Sequence, residues 1–376
     1  MRTINVRSRS APLPKKWRAC VGAGEALDGL RADWQRQFSM AVRNSAFEHA
    51  RLSGWRQLDA RCSREIDALC DFLSDHNISP VMRLDARETG DSSSEGLDTF
   101  ARHVIARYGA NRTHKWRFEI PFNRRFASRT DALKHVDPGL NVGALISAEK
   151  LRKSPIDSRE TPSDFIVISG ETDSAARVSK LLDALDPSIP VHWDGIRKAH
   201  TAADGLKDAI ALTQRFMASD SQFDSMALAS FSGLCGAGAY LIDDWGVAQP
   251  TAHAYRMMDT LGGEEIARGP SWIITRDAQD RVVALAWYDP AAPTLLDIAN
   301  MRPYTRIMLE TVDRDHGWAF PVWQQMGHPE SLARHQVQAL RQASQMTCVA
   351  WARTNETGSF KLELPRTESI ILLKEQ

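Results

Sequence analysis

The sequence predicts an α/β fold: a (β/α)8 TIM barrel followed by a C-terminal β-sandwich domain, which the N-terminal strand joins. Three observations predict it. Eight strand-like segments alternate with helix-like ones between Trp17 and Leu261, six more strand-like segments crowd the region after Gly263, and a short one, Ile4 to Val6, stands alone at the start. Alternation of this kind argues for a parallel sheet, and eight units suggest that the sheet closes.

The eight strand candidates are Trp17 to Val21, Phe47 to Leu52, Pro80 to Leu84, Lys115 to Phe122, Asn141 to Ile146, Asp164 to Ser169, Pro190 to Trp193 and Met226 to Phe231. Helical spacing separates most of them. In Ala26 to Asn44, the residues Leu27, Leu30, Trp34, Phe38 and Val42 fall on one face. In Ser63 to Asn77 the same holds for Ile66, Leu69, Cys70 and Leu73. Leu97 to Tyr108, Ala175 to Leu185, Gly205 to Ser219 and Ala252 to Leu261 continue the series, whereas the stretch from Leu133 to Asn141 leaves little room for a helix. The composition of Gly90 to Gly96 reads as a turn.

After Gly263 the strands are Trp272 to Thr275, Val282 to Tyr288, Thr305 to Thr311, Thr347 to Arg353, Ser359 to Leu364 and Ser369 to Leu373, interrupted by one helix, Pro329 to Ser344. Residues 14–262 are thus assigned to the barrel, and residues 1–13 with 263–376 to the β-sandwich.

Composition narrows the function classes. The 376 residues are 43% hydrophobic and 25% charged, ordinary for a globular protein and long enough for one large domain plus a smaller one. Lys+Arg and Asp+Glu both count 47, and no basic run is interleaved with aromatics, so neither nucleic acid nor an anionic membrane is an expected partner. Met1 to Ser10 is polar and basic with no apolar run after it, and no stretch reaches the ~18 apolar residues of a membrane span. Five cysteines without a C-x-x-C pair read as reduced thiols, so a cytoplasmic setting is expected.

Nucleotide and metal motifs fail. Leu27 breaks the glycine pattern begun by Gly22 and Gly24, Leu241 breaks the one begun by Gly236 and Gly238, and no metal-ligand spacing or nucleophile elbow occurs. No cofactor and no metal are expected. Of the eleven tryptophans, Trp34, Trp245, Trp272 and Trp287 read as packing residues.

Several segments resemble glycoside hydrolase family 39, the β-xylosidase family. They are VGAGEALDGLRADWQ (Val21 to Gln35), EIDALCDFLSDHNISPVMRL (Glu65 to Leu84), ARYGANRTHKWRFEI (Ala106 to Ile120), VDPGLNVGALIS (Val136 to Ser147), GAYLIDDWGVAQPTAHAYRMMDTLG (Gly238 to Gly262) and VDRDHGWAFPVWQQMGHP (Val312 to Pro329). Their order is similar to the family's from about Trp17 to Gln376. The resemblance implies a barrel plus β-sandwich and hydrolysis of β-linked xylose or related sugars with retention.

Such hydrolysis needs two carboxyl groups about 5–5.5 Å apart, one acid/base and one nucleophile. The family places the acid/base in an Asn-Glu-Pro motif after a Trp-x-Phe-Glu strand. Here Trp116, Arg117, Phe118 and Glu119 lead to Asn123, which aligns with the acid; a slip of one residue brings Arg124 instead. The nucleophile lies in a Thr-Glu-Trp-Asn segment, and here Val191, His192, Trp193 and Asp194 put His192 in its place. An amide cannot protonate a leaving oxygen at neutral pH, and an imidazole cannot form the glycosyl ester.

Neighbouring positions differ as well: Ser53 replaces a histidine, Arg83 a glutamate, and Ile168, Ser169 and Gly170 a Thr-His segment. The candidate substrate-binding residues are therefore Ser53, Arg83, Asn123, Arg124, His192, Trp193 and Asp194, with Trp193 serving either as a sugar platform or as packing. Whether Arg83, Arg124 and Arg125 suit an acidic sugar stays open.

The expected function is a catalytically impaired or inactive family-39-like protein with a mono- or oligosaccharide ligand. One alternative is an active glycosidase with relocated carboxylates, Asp194 first among them and Asp85, Glu171 and Asp173 at similar height. Glu119 lies roughly 13 Å deeper than Asn123 at about 3.3 Å per residue, and reads as a buried, paired carboxylate. Another alternative is a structural or partner-binding module. The sugar and the oligomeric state stay open.

Overall fold

The computed structural model describes residues 2–376 except 44, 56–62, 85–94, 154–162, 171–185, 187, 196–203, 219–222, 224, 228–229, 234–239, 293–294 and 347. In chain order, β1 (Arg2–Asn5) and β2 (Ala11–Pro12) precede β3 (Val21–Glu25), α1 (Ala32–Arg43), β4 (His49–Ser53), α2 (Ser63–Asp75) and β5 (Ser79–Arg83). There follow α3 (Glu95–Tyr108), the single turn α4 (Ala110–Thr113), β6 (Arg117–Pro121), α5 (Phe126–Val136), β7 (Asn141–Ser147), α6 (Ala148–Lys153), β8 (Phe165–Ser169) and β9 (Val191–Asp194). Next are α7 (Gly205–Met217), β10 (Ser225–Ala227), β11 (Ser230–Gly233), β12 (Tyr240–Asp243) and α8 (Pro250–Thr260). The rest is β13 (Glu264–Gly269), β14 (Trp272–Arg276), β15 (Val282–Trp287), β16 (Leu295–Ala299), β17 (Arg306–Val312), α9 (Phe320–Gln325), α10 (Arg334–Ala343), β18 (Cys348–Arg353), β19 (Phe360–Glu363) and β20 (Ile370–Glu375).

The chain divides into two compact units, residues 16–197 with 222–232, and residues 1–15, 198–221 and 233–376. The first is a parallel sheet in the order β10-β9-β8-β7-β6-β5-β4-β3-β11. Two of its strands, β7 and β8, are near-continuous apolar runs, as parallel strands covered on both faces tend to be: Val142 to Leu145 and Phe165 to Ile168 are all buried. The covering helices present aromatic stripes. Trp34 and Phe38 of α1, four residues apart and stacked at 4.9 Å, meet Phe72 of α2 at 6.0 and 5.9 Å.

The sheet is strongly curled. One edge ends in β10 at Ala227 and the other begins with β11 at Ser230, a step of roughly 11 Å at most along the chain.

The second unit holds two sheets. Seven antiparallel strands run β18-β17-β20-β15-β14-β13-β2, and a smaller sheet runs β1-β16-β19. Ile4, Leu296, Ile298 and Leu362 from the small sheet share one core with Trp272, Ile274, Ala284, Ala286, Ile307 and Leu373 from the large one. The expected N-terminal strand is present as β1, paired in parallel with β16.

Boundaries moved in places. Trp17 lies in a 3-10 turn and the first parallel strand starts at Val21. A full helix, α5, precedes the tight link at Val136. The helix expected from Pro329 to Ser344 starts later, as α10, and a separate short helix, α9, precedes it. The expected helix Ala175 to Leu185 lies outside the described residues. So does the expected turn at Gly90 to Gly96 as far as Ser94, after which Glu95 and Gly96 already belong to α3.

Gly143 of β7 shows how tightly the interior of the sheet is filled. A Cβ there would stand 2.2–2.4 Å from the Phe165 ring. Gly143→Ala is expected to cost about 1–3 kcal/mol by overpacking, measured by denaturant unfolding.

Candidate active site

Three inward-facing side chains define the interior of the parallel sheet. Arg51 of β4 donates Nε to both carboxylate oxygens of Glu119 on β6, at 2.9 and 2.8 Å, with Nη2 2.7 Å from Oε2. Its Nη1 donates to Asp194 Oδ2 on β9 at 2.7 Å. β4 and β9 are five strands apart in the sheet, roughly 24 Å if laid flat at about 4.8 Å per strand. A direct ion pair across that interval requires the curl.

The same face carries His49, Arg117 and His192 toward the N-terminal ends of the strands, and Val81 and Val167 at mid-height. Arg117, His192, Val81 and Val167, with the Arg51 triad, Cys20 and Trp193, line a cavity of about 20 Å³, room for one water. Charge balances here: Arg51 and Arg117 face Glu119 and Asp194. Burial opposes the Arg51 charge, but Glu119 and Asp194 outweigh it and hold the guanidinium protonated.

The histidines stay neutral. Burial first, then the Arg117 charge, pushes the His192 imidazole down to about 3 and that of His49 to about 4. Burial also pushes the Cys20 thiol up to about 12, so it is no thiolate nucleophile. Among the described residues no three His, Cys, Asp or Glu side chains converge as metal ligands. No helix among them is long and apolar enough to cross a membrane.

The predicted site residues separate into groups. His192 and Asp194 share the inward face of β9; Asp194 is level with Ser169 of β8, and His192, one layer deeper, with Val167. His192 rests against Phe165 at 5.2 Å. Trp193 points the other way. It is buried against Phe223 at 5.2 Å, and a Cβ at Gly195 would come within 1.8 Å of its Nε1, so it serves as packing, away from the inward face.

Ser53 and Arg83 stand half-buried at the C-terminal ends of β4 and β5, with the Ser53 hydroxyl 3.4 Å from the Gly24 carbonyl. Asn123, Arg124 and Arg125 form the exposed turn between β6 and α5, where Asn123 Oδ1 accepts the Arg125 N–H at 2.9 Å. Lys150 Nζ donates to the Phe122 carbonyl beside this turn and lies 4.9 Å over the Phe122 ring. Asp85, Glu171 and Asp173 lie outside the described residues.

Glu119 is the buried paired carboxylate that its depth suggested, with a side chain only 3% exposed. Its partner Arg51 escaped sequence reasoning, although its position in β4, with the parity of Ser53, placed it on the inward face. Glu25 was also missed. It ends β3, is exposed, and lies level with Ser53.

Comparison with known proteins places this geometry. The sequence profile of glycosyl hydrolases family 39 matches residues 2–94. A β-xylosidase of Caldicellulosiruptor saccharolyticus is 23% identical over 99% of this chain and 98% of its own length. Over its whole length the chain is thus similar to proteins of glycosyl hydrolase family 39. Two solved family-39 structures show the same fold over the whole chain. An enzyme from Xanthomonas axonopodis pv. citri superposes with a TM-score of 0.83 at 17% identity, covering 100% of this chain and 96% of the other. A β-xylosidase from Caulobacter crescentus gives 0.81 at 19% identity, covering 100% and 99%.

Two measurements check this description of the parallel sheet's interior. Arg51→Met strands two buried carboxylates and is expected to cost about 3–5 kcal/mol in denaturant unfolding. The imidazoles of His192 and His49 are protonated more readily in the unfolded chain than in the folded one. Stability from this source is therefore present above about pH 6.5 and is lost as pH falls toward 4. A His192→Leu variant should show a shallower stability slope in that window, by up to one proton, or about 1.4 kcal/mol per pH unit.

Proposed function

We propose that this chain is a family-39 protein in which the hydrolytic carboxyl pair has been replaced, leaving a saccharide-binding protein of impaired or absent catalytic activity. In this reading the curled sheet closes as a (β/α)8 barrel, the second unit's two sheets form a β-sandwich, and Asn123 and His192 stand where the acid/base and nucleophile would be.

The observation that carries the reading is the turn after β6. A general acid there must hold a proton near neutral pH, and enzymes achieve this by burying a carboxyl away from cations. The turn offers instead an exposed amide whose oxygen is already engaged, two guanidiniums that never release a proton, and Lys150 close by. A carboxylate reaching in from elsewhere would be held ionised by these charges, the wrong state for an acid.

A second reading is favoured by one observation. Asp194 is 12% exposed on the inward face near the C-terminal end of β9, in contact with Arg51, and is the described carboxylate best placed to act in a relocated pair. Its pairing with Arg51 suits a nucleophile or electrostatic role more than an acid.

Turnover of 4-nitrophenyl β-xyloside, β-glucoside and α-arabinoside decides between them. The expected outcome is no release of nitrophenol above the buffer rate, with calorimetry detecting at least one bound mono- or oligosaccharide. Hydrolysis abolished by Asp194→Asn would overturn the first reading in favour of the second. Neither turnover nor binding across the panel would leave a structural role for the fold.

A further inference from the structure

A larger cavity lies in the second unit, among residues that the reading above does not use. There α9 and α10 pack beside the segment that follows β12. Val247, Ala319 and Leu340 are buried together, and Trp245, Val322, Trp323 and Met326 pack around them half-buried. Between these groups opens a pocket of about 360 Å³, within the range of small-molecule sites at roughly 300–1,000 Å³.

Its walls have a definite chemistry. Tyr240, Trp245, Phe320 and Trp323 contribute aromatic surface, Asp243 and Glu330 contribute carboxylates, and among the described residues no Lys, Arg or His lines it. The rings are held in place. Phe320 stacks on Trp318 at 5.3 Å and 16°, Trp323 stacks on His328 at 4.6 Å and 5°, and Phe320 and Trp323 meet at 5.7 Å and 37°. Trp245, which the sequence marked as a packing residue, is only partly covered.

Asp243 is held just as firmly. Its Oδ1 accepts the N–H groups of Trp245 at 2.9 Å and Val247 at 2.8 Å. That fixes the carboxylate and leaves Oδ2 as its other acceptor. Burial, with a smaller push from Asp244, raises the Asp243 carboxyl to about 6 against those two donors and the Arg341 charge. The nearby cation, Arg341, spends Nε and Nη2 on the Trp245 carbonyl at 3.1 and 2.6 Å.

Aromatic faces around two carboxylates, with no cation among the described lining residues, complement one class of ligand. A cation with an apolar jacket gains from ring faces and carboxylate together. A neutral sugar gains from the rings and can donate hydroxyls to the carboxylate, but it brings no positive charge to it. We propose that this pocket binds a small organic ammonium ion, its alkyl groups against Phe320, Trp323 and Trp245 and its charge toward Asp243. The site is independent of the reading for the parallel sheet.

Titration calorimetry of the full chain with choline tests it. Three comparisons accompany the wild-type measurement: 3,3-dimethylbutan-1-ol, the uncharged shape analogue of choline; methyl β-xyloside; and the variants Asp243→Asn and Phe320→Leu. Asn keeps a carbonyl oxygen for the two N–H donors, so the turn is retained. The expected result is saturable choline binding, weaker by roughly tenfold or more for the uncharged analogue and in each variant. Equal binding of choline and its uncharged analogue overturns the proposal, as does choline binding unchanged in Asp243→Asn. Binding of the xyloside but not choline, or no choline binding up to millimolar concentration, overturns it too. The comparison of charged with uncharged ligand uses wild-type protein alone and stands even if a variant fails to fold.

Discussion

A single guanidinium, that of Arg51, spans the curl of the parallel sheet. Its donors reach Glu119 and Asp194, 68 and 143 residues further along the chain, so the contact joins strands that neither local sequence nor direct pairing brings together. Burying three charges is expensive, and an apolar replacement of similar volume would often be as stable. The triad instead constrains geometry. Side chains alternate faces along a strand, so a slip of one residue in β6 or β9 would turn Glu119 or Asp194 away from Arg51 and strand a buried charge. Register and curvature are thereby specified together.

Around that triad, the neighbouring histidines and thiol are in the states that add no charge. His49 and His192 are neutral, Cys20 is a thiol, and Arg117 completes a balance of two cations and two anions. The interior therefore has the character of a filled, neutral core whose small cavity suits a water. The second unit inverts this arrangement. Its pocket is large, its walls are aromatic, and no cation stands beside the half-buried Asp243 carboxylate among the described lining residues.

Much of the fold was legible because it rests on periodicity. The apolar runs of β7 and β8 and the stripe of Trp34 and Phe38 state their structure in a few residues. The isolated N-terminal stretch found its place as β1. Among the strands that were missed, two have a plain physical reason. β13, Glu-Glu-Ile-Ala-Arg-Gly, carries charges on a mostly half-exposed strand and has weak alternation. β16 alternates buried and half-buried residues, but it pairs with the far N-terminus, so nothing nearby in the sequence marks it. The site was legible by strand position and parity, which put Asp194 beside His192 and Glu119 in the core. Trp193 sits on the opposite face by that same parity, a consequence the chemistry of a tryptophan near a sugar-binding strand obscured. Arg51 escaped notice because its role exists only across the curl.

The shared guanidinium also sets a condition on redesign. Installing glutamate at position 192 would put a third carboxylate into an interior where the Arg51 donors are already divided between two. The count around the cavity would pass from neutral to one excess negative charge, with Arg117 the other cation in its described lining to answer it. The cheapest response is for one carboxylate to take up a proton, or for Asp194 to surrender Arg51 to the newcomer. A glutamate added there would compete for its counter-ion before it met any substrate, so Asp194 and residue 192 form a single unit of sequence change.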